Sequence, residues 1–334
     1  MNRRILVLHT GGTIGMERSS QGYRPMAQFG TTLRQHLATL SGLPDYDFIE
    51  LAPLIDSANL LPSHWLKIAR ELRTHWNRYE GFVILHGTDT LAWTASALSF
   101  LFQGADRPII LTGSQIPLLE PRSDAPANLG TALMLASSPA SRGVTIFFGG
   151  TLLQGNRSTK SSSTDFQAFS SPNVPALARA GIHLPSQPPA PEAVPAHNAI
   201  IDTLDAHAVM VLTVYPGLSA TQINALTETP SLRGLVLCSY GAGNLPDTDP
   251  ALLEALARIV KRGIVVVNRT QCAHGPVVHG TYATSSTLER IGIVSASDMT
   301  LEAAFAKLHI LLALHRDPQQ VREQFRIALC GEMS

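Results

Sequence analysis

At 334 residues and 45% hydrophobic content, the chain has material for two buried cores, more than one core usually organises. Its 25 basic residues balance 25 acidic ones and the arginines are scattered, which excludes an electrostatic footprint for nucleic acid or an acidic membrane and suits a small neutral or zwitterionic substrate. Three cysteines, Cys238, Cys272 and Cys330, lack zinc-type spacing; Cys238 and Cys272 sit by buried strands and read as core thiols.

The first predicted element is a buried strand ending at Val7, Leu8 and His9 and running into Gly11-Gly12-Thr13. The two glycines permit backbone conformations closed to other residues and leave Thr13 at the strand's carboxyl end, where open α/β sheets hold ligands. Glycines at 11, 12 and 15 do not match a dinucleotide fingerprint, and no Gly-Lys dipeptide supplies a Walker loop. The stretch from Glu17 to Pro25 has no apolar helical period and reads as a hairpin flap, with Gln21-Gly22 near its tip and Tyr23 just behind. Alone, a Gly-Gly-Thr is as readily a plain turn as a site.

A strand near Phe48 leads towards Asp56-Ser57-Ala58, and Trp65, Ile68, Ala69, Leu72 and Trp76 follow with helical spacing. A second buried strand, Gly81 to His86, runs into Gly87-Thr88-Asp89-Thr90 and then a helix over Leu91 to Phe100. Asp89 or Thr90 at that junction can serve simply as a helix cap. The strand Ile109 to Leu111 is followed by Thr112-Gly113-Ser114, either the floor of a site or an ordinary turn. After the strand Val144 to Phe148 comes a polar loop, Gly155-Asn-Arg-Ser-Thr-Lys160. Of four lysines, Lys67, Lys261 and Lys307 lie in amphipathic or terminal helical stretches, where a solvated face accounts for them. Lys160 alone sits among small polar residues, and a lysine, unlike an arginine, can release the proton that a relay moves.

The proline-rich run from Leu184 to Asn198 is unsuited to helix or central strand and reads as an extended join. It divides an N-terminal domain, 1–183, and a linker, 184–207, from a C-terminal domain, 208–334. Beyond it, strands over Val209 to Thr213, Gly234 to Leu237 and Ile264 to Val267 alternate with helices over Leu252 to Ile259 and Leu301 to Leu314, so both halves are α/β. His274 and His279 lack a companion ligand set, so no metal is expected. The charged N-terminus enters a strand without an apolar signal segment and no run approaches a membrane span, so the expected location is cytoplasmic.

Taken together, His9 to Gly15, Asp56-Ser57, Val83 to Thr90, Leu111 to Pro117, Gly155 to Lys160, Ser239 to Asn244 and Val265 to Cys272 resemble the L-asparaginase family, in its cytoplasmic bacterial type I branch. The segments keep the family's order over nearly the whole chain, and the pairing of Gly-Gly-Thr with His-Gly-Thr-Asp-Thr is specific where either alone is weak. The resemblance implies two α/β domains, a larger N-terminal one with a mostly parallel sheet and a flap hairpin, and a smaller C-terminal one with a parallel sheet. It implies hydrolysis of L-asparagine to L-aspartate and ammonia without a cofactor, through a threonine ester that splits one high barrier into two lower ones. Thr13 is then the nucleophile, assisted by Tyr23. Thr88 handles water, Lys160 relays the proton, and Asp89 pairs with Lys160 or the substrate ammonium; the order in which the two threonines act stays open. Asp56, Ser57 and Ala58, the last through its backbone, hold the α-substituents, and Ser114 lines the floor. A homodimer or homotetramer is implied, with Asn244 of a neighbour reaching the site.

The resemblance also implies a second, allosteric asparagine site around Thr159, Cys238 and Cys272. Cys238 stands where an allosteric family member carries a carboxylate-binding arginine, so simple saturation is expected unless Arg233 or Arg269 supplies the charge. Two rival readings are an ammonia-releasing amidotransferase subunit of the same fold and a noncatalytic amino-acid sensor. The first normally carries an additional domain, whereas this chain starts at the catalytic strand; the second predicts loss of Thr13 or Lys160, and both are present. No Gly-x-Ser-x-Gly elbow supports a serine hydrolase.

Overall fold

Ile5, Leu6, Val7 and Leu8 are all buried although neighbouring side chains point to opposite faces, so their strand is covered on both sides. The computed structural model that shows this describes residues 4–184, 200–226, 228–246, 249–278 and 283–334. It falls into two units, Met1–His197 and Asn198–Ser334, each with its own sheet. Residues 185–199 of the expected linker and His279 lie outside the described residues.

The first unit carries β1 (Ile5–His9), β2 (Met16–Ser19), β3 (Gly22–Pro25), α1 (Phe29–Leu37), β4 (Tyr46–Glu50), α2 (Pro62–His75), β5 (Gly81–Leu85), α3 (Leu91–Leu101), β6 (Pro108–Thr112) and α4 (Ala125–Ala136). It continues through β7 (Gly143–Phe148), β8 (Thr151–Gln154), β9 (Thr159–Lys160), β10 (Phe169–Ser170) and β11 (Ala178–Arg179). Seven strands form one sheet in the order β11-β8-β7-β6-β5-β1-β4, parallel from β7 to β4, with β8 and β11 antiparallel at the other end. His9 is level with Glu50 and Leu85, and Leu85 with Thr112, so four strands finish along one rim. The chain steps from β1 outward to β4 and then returns to the other flank of β1 for β5. That reversal makes the crevice between the β1 and β5 ends a topological switch point, the standard place for a ligand in such a sheet.

Phe29, Leu33 and Leu37 of α1 repeat every four residues and, with Leu129, Ala132, Leu133 and Ala136 of α4, bury the sheet face of Ile5, Val7, Val83, Leu85 and Ile110. In α2 the expected stripe of Trp65, Ile68, Ala69 and Leu72 is buried, but the helix stops at His75. Trp76 instead opens a 3-10 turn and stacks on Phe82 at 5.0 Å between centroids. The expected flap is the antiparallel hairpin of β2 and β3, with Arg18 opposite Tyr23.

The second unit carries β12 (Val209–Thr213), α5 (Ala220–Leu226), β13 (Gly234–Ser239), α6 (Pro250–Lys261), β14 (Val265–Thr270), α7 (Ala283–Arg290), β15 (Val294–Ser295), α8 (Leu301–Leu314) and α9 (Pro318–Phe325). Its four strands are parallel and in chain order. Two sequence expectations fail here. Lys307 is not on a solvated face: it is fully buried in α8, 2.5 Å from an equally buried Glu332, and donates to Phe325 O and Ile327 O. The periodicity of an almost wholly apolar helix could not distinguish a buried, paired cation from an exposed one. Cys238 is a core thiol on β13, but Cys272 lies beyond the end of β14 and is exposed. No described helix is long and apolar enough to cross a membrane.

Candidate active site

Gly11 and Gly12 have φ of +129° and +96°, and a Cβ on Gly12 would collide with the backbone of Gly87. Only glycine allows this conformation and this approach, which press the turn after β1 onto the turn after β5. Thr13 and Thr88 are the next residue on each side of that contact. Thr13 begins a single 3-10 turn to Gly15, closed by Gly15 N donating to Gly12 O at 3.1 Å. Next to it lies a cavity of about 270 Å³, lined by His9, Gly12, Gly15, Tyr23, Ile55 and Asp56 among others.

Lys160, carried on the short β9, donates to Thr88 Oγ1 at 2.9 Å and to Asp89 Oδ1 at 2.7 Å. With its oxygen accepting from Lys160, the Thr88 hydroxyl directs its own proton to Gln115 Oε1 at 3.3 Å. Asp89 therefore serves the lysine rather than a helix end. Nor does Thr90 cap α3 with its side chain; its hydroxyl donates to Ser57 O at 2.8 Å and ties the β5 turn to the Asp56 segment.

Asp56 caps the turn Ser57–Asn59, accepting from Ala58 N at 3.2 Å and from Asn59 Nδ2 at 3.0 Å. Ser57 is buried, and Gly87 packs so close that a Cβ there would strike Ser57 Oγ. Ser114 is buried with its hydroxyl turned back onto Ile116 O at 2.6 Å, the geometry of a loop-building residue. Asp124 shapes the same loop by accepting from the backbone N–H of Gln115 and of Ile116. Tyr23 is 47% exposed, and its hydroxyl accepts from Arg18 at 3.4 Å while Arg18 donates to Glu120 at 3.0 Å. His9 is buried against Phe29 and Phe48, and burial pushes its pKa down to about 4.

The first unit thus carries Thr13, Asp56, Ser57, Ala58, Thr88, Asp89 and Ser114 in turns and loops, Tyr23 on β3 and Lys160 on β9. Thr90 and Gln115, both inside the motif segments, escaped the sequence reading as partners of Ser57 and Thr88, and Asp124, outside those segments, escaped it as the acceptor that shapes the Ser114 loop. Thr159 sits beside Lys160 on β9, opposite Ser170. In the second unit, Asn244 closes a tight turn with Tyr240, and Cys238 is level with Thr213 and Arg269 on the flanking strands. Burial raises the Cys238 thiol, opposed by the neighbouring Arg269. Arg233 is committed elsewhere, donating to Leu312 O and His315 O. Among the described residues no group of three or more His, Cys, Asp or Glu side chains is placed to hold a metal ion.

The family model for the asparaginase N-terminal domain matches residues 4–190, and that for the glutaminase/asparaginase C-terminal domain matches residues 208–325. The chain is 43% identical to L-asparaginase 1 of Escherichia coli K12 over 337 aligned residues, covering 99% of this chain and 98% of that one. The crystal structure of L-asparaginase I from Vibrio cholerae superposes with a TM-score of 0.88 at 38% identity, covering 100% of both chains. The thermostable L-asparaginase from Thermococcus kodakarensis also superposes with a TM-score of 0.88, at 32% identity and 99% coverage of both. The chain belongs to the asparaginase family.

Proposed function

We propose that this chain hydrolyses L-asparagine to L-aspartate and ammonia, as a cytoplasmic enzyme of the type I branch that works as a homodimer or homotetramer. The observation that carries the reading is the bridge from Lys160 to both Thr88 and Asp89, in a turn pressed against the one that holds Thr13. Thr13 Oγ1 attacks the side-chain amide carbon, its proton passes to the amide nitrogen, the C–N bond breaks, and the nitrogen leaves as ammonia. Water then cleaves the Thr13 ester, its proton passing through the Thr88 and Lys160 pair, and aspartate is released. A bare threonine hydroxyl is too weak a nucleophile for this, so a positioned proton acceptor is required. Tyr23 reaches the nucleophile when the flap closes, and Asp56, Ser57 and Ala58 hold the α-substituents. We assign catalysis to residues 1–183, joined through 184–207 to a C-terminal domain, 208–334, that presents Asn244 to a neighbour's site. Ammonia release across a concentration series of L-asparagine, L-glutamine and D-asparagine tests this: L-asparagine should be turned over best, and no ammonia from it would overturn the reading.

A further inference from the structure

His86 is 2% exposed and precedes Gly87-Thr88, yet no chemical step requires it. Its Nδ1 is 2.8 Å from Gly87 O and its Nε2 is 3.0 Å from Thr94 Oγ1. A carbonyl oxygen only accepts, so Nδ1 carries the proton; in a neutral ring Nε2 must then accept from the Thr94 hydroxyl. We propose that His86 is a positioning residue: Gly87 O fixes it as the Nδ1–H tautomer, the Thr94 hydroxyl on α3 donates to its Nε2 and holds the ring in place, and the ring clamps the Gly87–Thr88 peptide that aims Thr88 at Lys160.

The peptide group is planar, so holding Gly87 O also holds Thr88 N and sets the direction in which Thr88 leaves the turn. The surrounding backbone leaves little room for another arrangement, since Gly12 presses on Gly87 and a Cβ on Gly113 would strike His86 O. In the opposite tautomer the Nδ1 lone pair would face the Gly87 oxygen and repel it. Burial keeps the ring neutral by pushing its pKa down to about 4, so the clamp holds across the neutral range. The catalytic consequence of this clamp rests on the asparaginase reading; the tautomer does not.

The test uses the intact chain labelled with ¹⁵N-histidine, together with Thr94→Val, Thr94→Ser and His86→Gln. In the wild type one histidine, missing from the spectrum of His86→Gln, should show a protonated Nδ1 and a bare Nε2. Thr94→Val removes the donor to Nε2 while Gly87 O still holds the Nδ1 proton, so that histidine should keep the Nδ1–H form with its Nε2 resonance moved to that of an unbonded nitrogen, and kcat for ammonia release should fall about tenfold with KM within about twofold, because a small loss of alignment is costly in rate. Thr94→Ser should restore both. An Nε2–H ring in the wild type, or wild-type kcat in folded Thr94→Val, overturns the proposal. Absence of asparagine turnover in the wild type would instead defeat the activity reading, and the tautomer and the response of Nε2 to Thr94→Val would then decide on the clamp.

Discussion

Lys160 donates to Thr88 Oγ1 at 2.9 Å across 72 residues of chain, and the same ammonium reaches Asp89 at 2.7 Å. Neither contact serves the fold in any evident way, because Thr88 and Asp89 sit on a turn already fixed by Gly12 and Ser57. Lys160→Met and Thr88→Val should therefore each lower kcat about a hundredfold while leaving the thermal transition nearly unchanged, the scale of losing positioned proton transfer. Lys160→Arg should not rescue, since a guanidinium keeps its proton. Steady-state ammonia release beside thermal unfolding checks this, and a Lys160→Arg enzyme with full turnover would remove the relay.

The flap presents Tyr23 on an exposed hairpin, where its hydroxyl is engaged by Arg18 and through it by Glu120. Closure that carries Tyr23 to Thr13 has to give up these surface contacts, which are individually weak. Bound aspartate should therefore slow hydrogen exchange between Gly15 and Pro25, and proteolysis in this segment should be faster without it. Exchange equally slow in both states would contradict gating.

The central strands β1, β5, β6, β7, β13 and β14 were legible because parallel strands buried on both faces read as unbroken apolar runs, and the Gly-Gly-Thr and Gly-Thr-Asp-Thr turns mark the ends of β1 and β5; β8 to β11 and β15 are too short to carry such a run and were not foreseen. Thr88, Asp89 and Lys160 were legible as chemistry, but their mutual contact was not, since it depends on how β9 returns to the β5 turn. The ties from Thr90 to Ser57 and from Gln115 to Thr88 were hidden for the same reason. Lys307 and Cys272 were misread because helical and strand periodicity reports an average environment, whereas one buried partner or the end of a strand decides the individual side chain.

Burying Lys307 and Glu332 together fastens the C-terminal segment to α8, with Glu332 also accepting from Leu329 N and Cys330 N. Lys307→Met leaves the buried Glu332 carboxylate without its countercharge and should cost about 3–5 kcal/mol of stability, whereas the double variant Lys307→Met with Glu332→Gln should recover a large part of the loss. Denaturant unfolding of the wild type, Lys307→Met, Glu332→Gln and the double variant measures the coupling, and additive losses would show that the pair does not act as a unit.

Cys238 shares a row with Thr213 and Arg269, which puts the Arg269 cation beside it on the neighbouring strand. Without an arginine at position 238, a second asparagine would lack a charge-assisted contact of about 1.5–3 kcal/mol, and we expect a Hill coefficient near one. Cys238→Arg would place a second guanidinium at a buried position beside Arg269, so it should lower stability; that repulsion makes the wild-type curve the cleaner readout. A clearly sigmoidal dependence of initial rate on asparagine would show that Arg269 supplies the missing charge.

If Thr13, held at the β1 turn by Gly11 and Gly12, attacks the amide of L-asparagine, turnover must fail without its hydroxyl. Ammonia release by purified, folded Thr13→Ala alongside the wild type tests it most directly. The wild type should turn over L-asparagine, and Thr13→Ala should be slower by about a hundredfold or more with its unfolding transition retained. Near-wild-type hydrolysis by folded Thr13→Ala would contradict the assignment.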